Sequence, residues 1–125
     1  MLQIYPYLII FKPMSTSTDF IKFVSDQVAG AGNVRYRKMF GEYMMYCDDR
    51  PVLLVCDDTV YVKQIPAAES VFATHNTTPE RDIPYQGARQ HYILDIENSD
   101  LAMDMVRALA RVIPIPKPKK SKSLK

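Results

Sequence analysis

The 125-residue chain contains no tryptophan, only two cysteines and only two histidines. Two cysteines are too few for a disulfide framework, and the histidines lie in different segments, without the spacing of a metal site. The motifs of several enzyme classes are also missing: there is no GxSxG elbow, no glycine-rich phosphate loop and no HExxH. The sequence therefore predicts no catalytic constellation, no metal and no cofactor.

Long apolar runs are also scarce, and the one that stands out covers residues 1–13. It is too short to span a bilayer, and it has neither a basic leader nor a small-residue cleavage site. Met14 follows it and precedes a series of helix-capping residues. We therefore interpret residues 1–14 as an N-terminal extension, with an added edge strand as the alternative. The expected location is the cytoplasm, with no contact to a membrane.

The charges are unevenly distributed, although the formal net charge is only +2. Five of the 16 basic residues lie in the last nine positions, which leaves eleven basic against 14 acidic residues in 1–116. This mildly acidic body argues against a globular nucleic-acid-binding surface. Residues 114–125 alternate proline and lysine with almost nothing to bury, so we expect a disordered tail. Contact with DNA is expected at most through this tail.

Helical periodicity marks three segments of the chain. The first runs from about Ser17 to Ala29, with several N-cap residues at its start and apolar residues at three- and four-residue steps. The second begins at Pro66, a favoured first helical residue, and ends near His75. The third follows the capping sequence at Asn98 and ends before Pro114.

The region between the first two helices has the composition of a sheet. Gly41 interrupts a strand-like run that begins near Val34, which predicts a break between Lys38 and Glu42. Aspartate pairs at 48–49 and 57–58 are typical of turns, and we prefer that interpretation to metal ligands. The predicted strands after the break are Glu42–Cys47, Val52–Cys56 and Thr59–Lys63, with a further strand at His91–Ile96.

The predicted loop lengths also bear on the two cysteines. A four-residue first loop pairs Cys47 with Val52 and places Cys56 opposite Tyr43. At about 3.3 Å per residue the two thiols are then roughly 13 Å apart, beyond the ~7 Å limit on Cα separation for a disulfide. We expect both cysteines to be free and buried.

Basic and aromatic residues are mixed at the start of the sheet, a combination found in nucleic-acid readers. Side chains alternate between the two faces of a strand, so Arg35 and Arg37 face one way and Lys38 the other. The apparent basic stripe is thereby divided. Tyr43 and Tyr46 also lie on opposite faces, one in the core and one exposed.

The run RYRKMFGEYMMYCDD, continued by VLLVCDDTVYVK, resembles the N-terminal domain family of the TfoX/Sxy regulators of natural competence in bacteria. The family pattern is an initial helix, Arg-x-Met-Phe-Gly-x-Tyr-x-x-Tyr, a hairpin and a strand that ends in lysine. The likeness continues through Pro84-Tyr85, the strand at Tyr92 and the final helix. The residues of this chain that match the pattern are Arg37, Met39, Phe40, Gly41, Tyr43, Tyr46 and Lys63.

The resemblance implies an α+β domain over residues 15–113, with the order α-β-β-β-α-β-α and an antiparallel meander sheet against which the helices pack. It also implies regulation rather than catalysis, because longer family members act as transcriptional coactivators of competence genes with the cyclic-AMP receptor protein. Those members carry a helical C-terminal domain where this sequence has its lysine tail. Met39, Phe40 and Gly41 are expected to form a fold-defining bend.

The first functional hypothesis is a non-enzymatic, protein-binding regulatory domain. Its partner is a transcription factor or a second copy of the chain, and the candidate contact residues are Arg37, Lys38, Tyr43 and Tyr46.

The alternative hypothesis is a small enzyme or ligand-binding domain. Its pocket lies between the sheet and the loop at residues 77–90, and its candidate residues are Lys63, Tyr85 and His91. The absence of clustered acid–base residues favours the first hypothesis.

Overall fold

A computed structural model describes residues 16–39 and 41–117 of the chain. The expected extension at 1–14 and the tail residues 118–125 lie outside this part. The described helices are α1 (Thr18–Val28), α2 (Pro66–Thr74) and α3 (Ser99–Val112), with a short 3₁₀ turn at Ala29–Ala31. The described strands are β1 (Val34–Met39), β2 (Glu42–Cys47), β3 (Arg50–Cys56), β4 (Thr59–Val62), β5 (Arg81–Asp82) and β6 (His91–Ile93).

The helix starts follow the capping residues in the sequence. Ser17 caps α1 by accepting a hydrogen bond from the Phe20 amide at 3.1 Å. Asn98 caps α3 in the same way, accepting from the Leu101 amide at 3.1 Å. Pro66 is the first residue of α2, where its missing amide proton costs nothing. The three predicted helices are therefore confirmed.

The strands form one antiparallel sheet in the order β1-β2-β3-β4-β6-β5. The α+β class and the antiparallel sheet with packed helices are confirmed. Four described strands rather than the expected three precede α2, because the chain reverses around Gly41 and pairs Met39 with Glu42. Strand β5 forms inside the segment expected to be an irregular loop, and β6 ends at Ile93 rather than Ile96.

The two aspartate pairs form two-residue hairpin turns, as the turn interpretation predicts. Asp48 and Asp49 have φ angles of +51° and +67°, and Asp57 and Asp58 have +52° and +53°. Aspartate tolerates this left-handed region, and two successive residues in it make the turn that matches the twist of a hairpin.

The first of these turns is shorter than the predicted four-residue loop, which was wrong. Cys47 pairs with Arg50 instead of Val52, so β3 begins two residues early. A register shift between Met45 and Tyr46 absorbs the difference along the pair. The reason is that two successive aspartates in the left-handed region are enough to reverse the chain. Arg50 and Pro51 are therefore not needed for the turn and belong to β3.

All three helices lie on one face of the sheet, which we call the inner face; the opposite side is the outer face. Helix α3 contacts α1, α2 and strand β3. Phe72 of α2 packs edge-on against Tyr92 with ring centroids 5.5 Å apart, and the Tyr92 hydroxyl donates to Glu69 Oε2 at 2.8 Å. None of the described helices is long and apolar enough to cross a membrane. The largest fully buried side chains of this core are Ile21, Met45, Leu53, Leu101, Met105 and Leu109.

Both cysteines are free and buried, as predicted. Cys47 belongs to the core on the inner face, and Cys56 belongs to a smaller apolar cluster on the outer face. The sheet therefore separates the two thiols. Burial raises the pKa of each thiol, and neighbouring acidic groups raise it further.

Candidate functional site

None of the described helices lies on the outer face of the sheet, and strand register identifies the side chains there. Residues directly opposite each other in antiparallel strands lie on the same face. Pairing joins Met44 to Leu54, Leu54 to Tyr61 and Tyr61 to Ile93. These residues form an apolar cluster that is separate from the core under the helices. The outer face therefore has a small apolar cluster of its own, which the three helices do not cover but whose Leu54 and Tyr61 are nevertheless buried.

The β1 end of the outer face is basic. Arg35 lies opposite Tyr46 and Arg37 lies opposite Met44, and both arginines are exposed. The Arg35 guanidinium is 4.4 Å from the centre of the Tyr46 ring, and its Nε is 3.4 Å from Asp49 Oδ1. Its charge is therefore partly satisfied within the chain. Arg37 forms no ion pair with any described residue, so its charge is available to a partner.

Lys38 and Tyr43 lie opposite each other on the inner face. Tyr43 is only 7% exposed and packs edge-on against Tyr36, with ring centroids 5.5 Å apart. Burial of Tyr43 removes it from the surface that a partner could contact, and Tyr46 is the member of the pair that reaches the surface. The four candidate contact residues are thus split, with only Arg37 and Tyr46 on the outer face.

The expected bend lies between β1 and β2. Met39 ends β1 and pairs with Glu42, and Gly41 has a φ angle of +85°, a conformation that favours glycine. The Gly41 carbonyl accepts a hydrogen bond from the Thr16 amide at 3.1 Å. This contact ties the start of α1 to the first hairpin. Phe40 lies outside the described residues.

A cleft of about 620 Å³ opens on the outer face, between the sheet and the segment that precedes β6. Two side-chain hydrogen bonds hold this segment near the sheet. The Cys56 thiol donates to the Pro84 carbonyl at 3.1 Å, and Gln64 Nε2 donates to Gln90 Oε1 at 3.2 Å. The volume falls in the range of small-molecule binding sites. We call this feature the outer cleft.

The three residues expected around a pocket in this region, Lys63, Tyr85 and His91, all line the outer cleft. Tyr85 is 50% exposed, a large fraction for a ring of this size. His91 Nδ1 donates to the Arg89 carbonyl at 2.8 Å, because a carbonyl oxygen can only accept. The His91 ring also packs edge-on against Tyr61, with centroids 6.3 Å apart. These two contacts fix the imidazole in one orientation.

The floor and the rim of the outer cleft include residues that the sequence did not single out. Met44, Leu54 and Tyr61 line it with apolar surface, and Arg89 adds a second cation to that of Lys63. Arg89 could have been recognised only by its position two residues before β6, where the loop returns to the sheet. Nothing in the local sequence distinguishes it from an ordinary solvated arginine.

Two groups at or beside the outer cleft, the Tyr61 hydroxyl and the Cys56 thiol, have raised pKa values. Burial raises the pKa of the Tyr61 hydroxyl, with Asp82 adding to the effect, so this group is a neutral phenol at pH 7. The pKa of the Cys56 thiol is raised for the same reason, and a thiol is a poor nucleophile compared with a thiolate. Neither the Tyr61 hydroxyl nor the Cys56 thiol is therefore activated as a nucleophile.

One aspartate of each turn accepts a hydrogen bond from the backbone of a neighbouring segment. Asp48 Oδ1 accepts from the Asn33 amide at 3.0 Å, and Asp58 Oδ1 accepts from the Ser17 amide at 2.8 Å. Each carboxylate thus joins a hairpin turn to the chain beside α1 or β1. Within residues 16–39 and 41–117, no three histidine, cysteine or acidic side chains come together in a way that could hold a metal ion.

The fold and the motif can be compared with known proteins. The model of the TfoX N-terminal domain family matches residues 26–98, from the second half of α1 to the cap of α3. The chain is also 34% identical over 112 residues to a protein of Spirochaeta aurantia described as an uncharacterized 12.7 kDa protein in the trpE 5′ region, a match that covers 88% of this chain and 94% of that relative. On both grounds, the chain belongs to the TfoX N-terminal domain family.

Proposed function

We propose that this domain is non-enzymatic and regulates by binding a protein partner through the basic end of its outer face. Membership of the TfoX N-terminal domain family supports a regulatory role in general, and this is not a known enzyme family. Competence and transcription regulation fit the family. The partner we favour carries an acidic surface, as a regulatory protein or transcription factor can.

The observation that carries the proposal is that Arg37, which forms no ion pair with a described residue, lies on the same face as the half-exposed ring of Tyr46. Arginine and tyrosine are enriched in protein interfaces because each combines apolar contact area with hydrogen-bonding groups. Arg35 already stacks on Tyr46 and holds that ring in place. A pre-positioned ring loses little conformational entropy when a partner binds.

Charge complementarity favours an acidic partner. The two arginines of β1 stand on a body that is otherwise mildly acidic, so they form a local basic spot rather than part of a basic surface. Such a spot attracts an acidic patch, while the rest of the domain repels extended polyanions.

The test uses two matched charge reversals on adjacent residues of the same strand. Arg37→Glu changes the outer face, and Lys38→Glu makes the same charge change on the inner side of β1. Tagged wild-type and variant proteins are recovered from the native cell, and co-purified proteins are quantified by mass spectrometry. We expect Arg37→Glu to lose at least one acidic partner that Lys38→Glu retains.

Equal recovery of partners by both variants would show that the basic end of the outer face is not the contact surface. Light scattering of the purified proteins addresses self-association. If wild-type protein is a dimer and Arg37→Glu a monomer, the surface joins two copies of this chain and the proposed acidic partner is replaced by a second copy.

The outer cleft supports a second candidate function, a small enzyme or ligand-binding domain. Its specific support is that Lys63, Tyr85 and His91 line one cleft of ligand size. The test is a thermal-shift screen with metabolites, using Ala88→Trp as a variant that fills the cleft. A metabolite that raises the melting temperature of wild type but not of Ala88→Trp supports this function. A screen without such a metabolite favours the protein-binding function alone.

A further inference from the structure

We infer that the outer cleft binds a small organic anion, with its apolar body on the floor of the cleft and its carboxylate or phosphate group beside Lys63 and Arg89. The inference rests on the second candidate function and names the ligand class of that site. Its cations are not those of the basic end of the outer face: Arg37 lies opposite the cleft residue Met44 but does not itself line the cleft.

The charge of the cleft is the first support. Lys63 and Arg89 both line it, both are exposed, and neither forms an ion pair with a described residue. Among the described residues that line the cleft, none carries a carboxylate. The Gln64 to Gln90 hydrogen bond joins the residues that follow these two cations in the chain, so the cations lie on neighbouring segments.

One acidic residue, Asp82, reaches the outer face beside the cleft without lining it. Asp82 lies opposite His91 across the β5–β6 pair, on the outer face. Its Oδ1 accepts a hydrogen bond from the Ile83 amide at 2.7 Å, within its own strand end. Asp82 forms no ion pair with Lys63 or Arg89, so both cations keep a charge that a ligand can neutralise. A cationic ligand would find no carboxylate among the described residues that line the cleft.

The apolar lining is the second support, and it excludes a simple inorganic ion as the preferred ligand. Met44, Leu54 and Tyr61 form a floor, and the half-exposed ring of Tyr85 stands over the same space. A cleft of about 620 Å³ is far larger than one phosphate needs and is suited to a molecule with an aromatic or aliphatic body. Aromatic walls favour a flat body, because stacked rings gain contact area.

The test uses two dyes that share an aromatic body and differ in charge. Anilinonaphthalene sulfonate carries an anionic group, and phenylnaphthylamine carries none; both fluoresce when bound to apolar protein surface. We expect saturable binding of the sulfonate to wild-type protein at one site per chain, with an affinity at least about tenfold higher than that of the uncharged dye.

Variants then separate the contribution of the two cations to dye binding from that of the apolar lining of the cleft. We expect Lys63→Gln/Arg89→Gln to weaken sulfonate binding by at least about tenfold and to change binding of the uncharged dye by less than about twofold. The matched control, Arg107→Gln/Arg111→Gln, removes the same charge from the groove between α2 and α3 and should leave both affinities unchanged. Each variant is first shown by circular dichroism and thermal melting to be folded.

Competition identifies the anionic group. Displacement of the sulfonate by phenylphosphate or by phenylacetate supports a phosphate or a carboxylate ligand, respectively. Failure of both to displace it, or displacement by inorganic phosphate at the same concentration, overturns the inferred ligand class.

The remaining outcomes distinguish the inference from the function on which it rests. Equal binding of the two dyes, or equal losses in the two double variants, would refute an anion site while leaving a ligand-binding cleft intact. Retention of full sulfonate binding by Ala88→Trp would show that the dye binds elsewhere, which overturns the ligand-binding function of the cleft itself.

Discussion

Replacing Gly32 with alanine tests how tightly the chain packs against Cys47 on the inner face of the sheet. A Cβ at this position would lie 2.8 Å from Cys47 Sγ and 3.1 Å from Asp48 Oδ2. The φ angle of Gly32 is 160°, close to fully extended, so alanine meets no backbone strain there. Any loss of stability in Gly32→Ala therefore measures the overlap with its neighbours.

The size of the overlap sets the expected loss. Ordinary contacts between non-bonded carbon atoms occur at about 3.5–4.0 Å, so the new methyl group is roughly 0.7 Å or more too close to the sulfur. Cys47 is fully buried in a strand and cannot move aside without displacing its core neighbours. Overpacking of this kind costs about 1–3 kcal/mol. Urea unfolding at constant m-value should show a decrease of that size for Gly32→Ala.

Gly30→Ala is the matched control. Its Cβ would lie 2.8 Å from Met103 Cε, the same separation as at Gly32, but that atom is the free end of a flexible side chain that is only half-buried. The methionine can turn away, so we expect a change of less than about 0.5 kcal/mol. Equal losses for the two alanine variants would refute the reasoning that rigidity of the contacted atom decides the cost.

A double-mutant cycle checks the partner. Cys47→Ala removes the sulfur that the new methyl group of Gly32→Ala would meet, so the two substitutions together should cost less than the sum of their separate costs, by about 1 kcal/mol or more. Additive losses would mean that the overlap is with another group, and the packing of Cys47 against Gly32 would have to be abandoned.

Three further outcomes follow from contacts elsewhere in the fold. Arg50→Met should lower the free energy of unfolding by about 0.5–1.5 kcal/mol in urea denaturation, because it removes the 2.8 Å bond from Arg50 Nη1 to the Ile113 carbonyl at the end of α3; an unchanged value would contradict this. Asn98→Ala should cost about 0.5–2 kcal/mol through loss of the α3 cap, whereas Asn98→Asp keeps the cap and should cost less. The pKa values of Cys47 and Cys56 are raised in the folded chain, so above about pH 8.5 the unfolded chain releases thiol protons that the folded chain still holds. The free energy of unfolding should therefore fall as the pH rises past that value. Cys47→Ala/Cys56→Ala should reduce the fall between about pH 8.5 and 9.5, and an identical pH profile would count against it.

Local sequence was a good guide wherever the physical cause is local. The caps at Ser17 and Asn98 and the proline at Pro66 were correctly predicted because each satisfies or removes a backbone group within one helical turn. The break at Gly41 was also predicted, although its consequence, a fourth strand before α2, was not. The predicted length of the loop at Asp48-Asp49 was wrong, because the same residues are compatible with a two-residue turn and with a four-residue loop.

The division of the site was only partly predictable. Alternation along β1 placed Arg37 and Lys38 on opposite faces, and register confirms it. Which face carries the helices cannot be read from alternation, because both faces of β3 and β4 have apolar residues. The sequence therefore could not say which of the two tyrosines is buried. In the structure Tyr43 faces the helices and belongs to the core, and Tyr46 reaches the surface.

By itself, the sequence determined the three helices, the strand-rich segment between them and the family, because periodicity, capping and turn chemistry act over a few residues. The cysteines were also predicted to be free, but from a loop length that was wrong; what separates them is the sheet, with Cys47 on one face and Cys56 on the other. Only the tertiary structure decided which face of the sheet the described helices leave uncovered, and which further residues, such as Arg89, join Lys63, Tyr85 and His91 around the outer cleft. Lys63, Tyr85 and Arg89 are separated by more than twenty positions of chain from the first to the last. They share one cleft because the loop before β6 folds back over β3 and β4, a long-range packing event that no local pattern encodes.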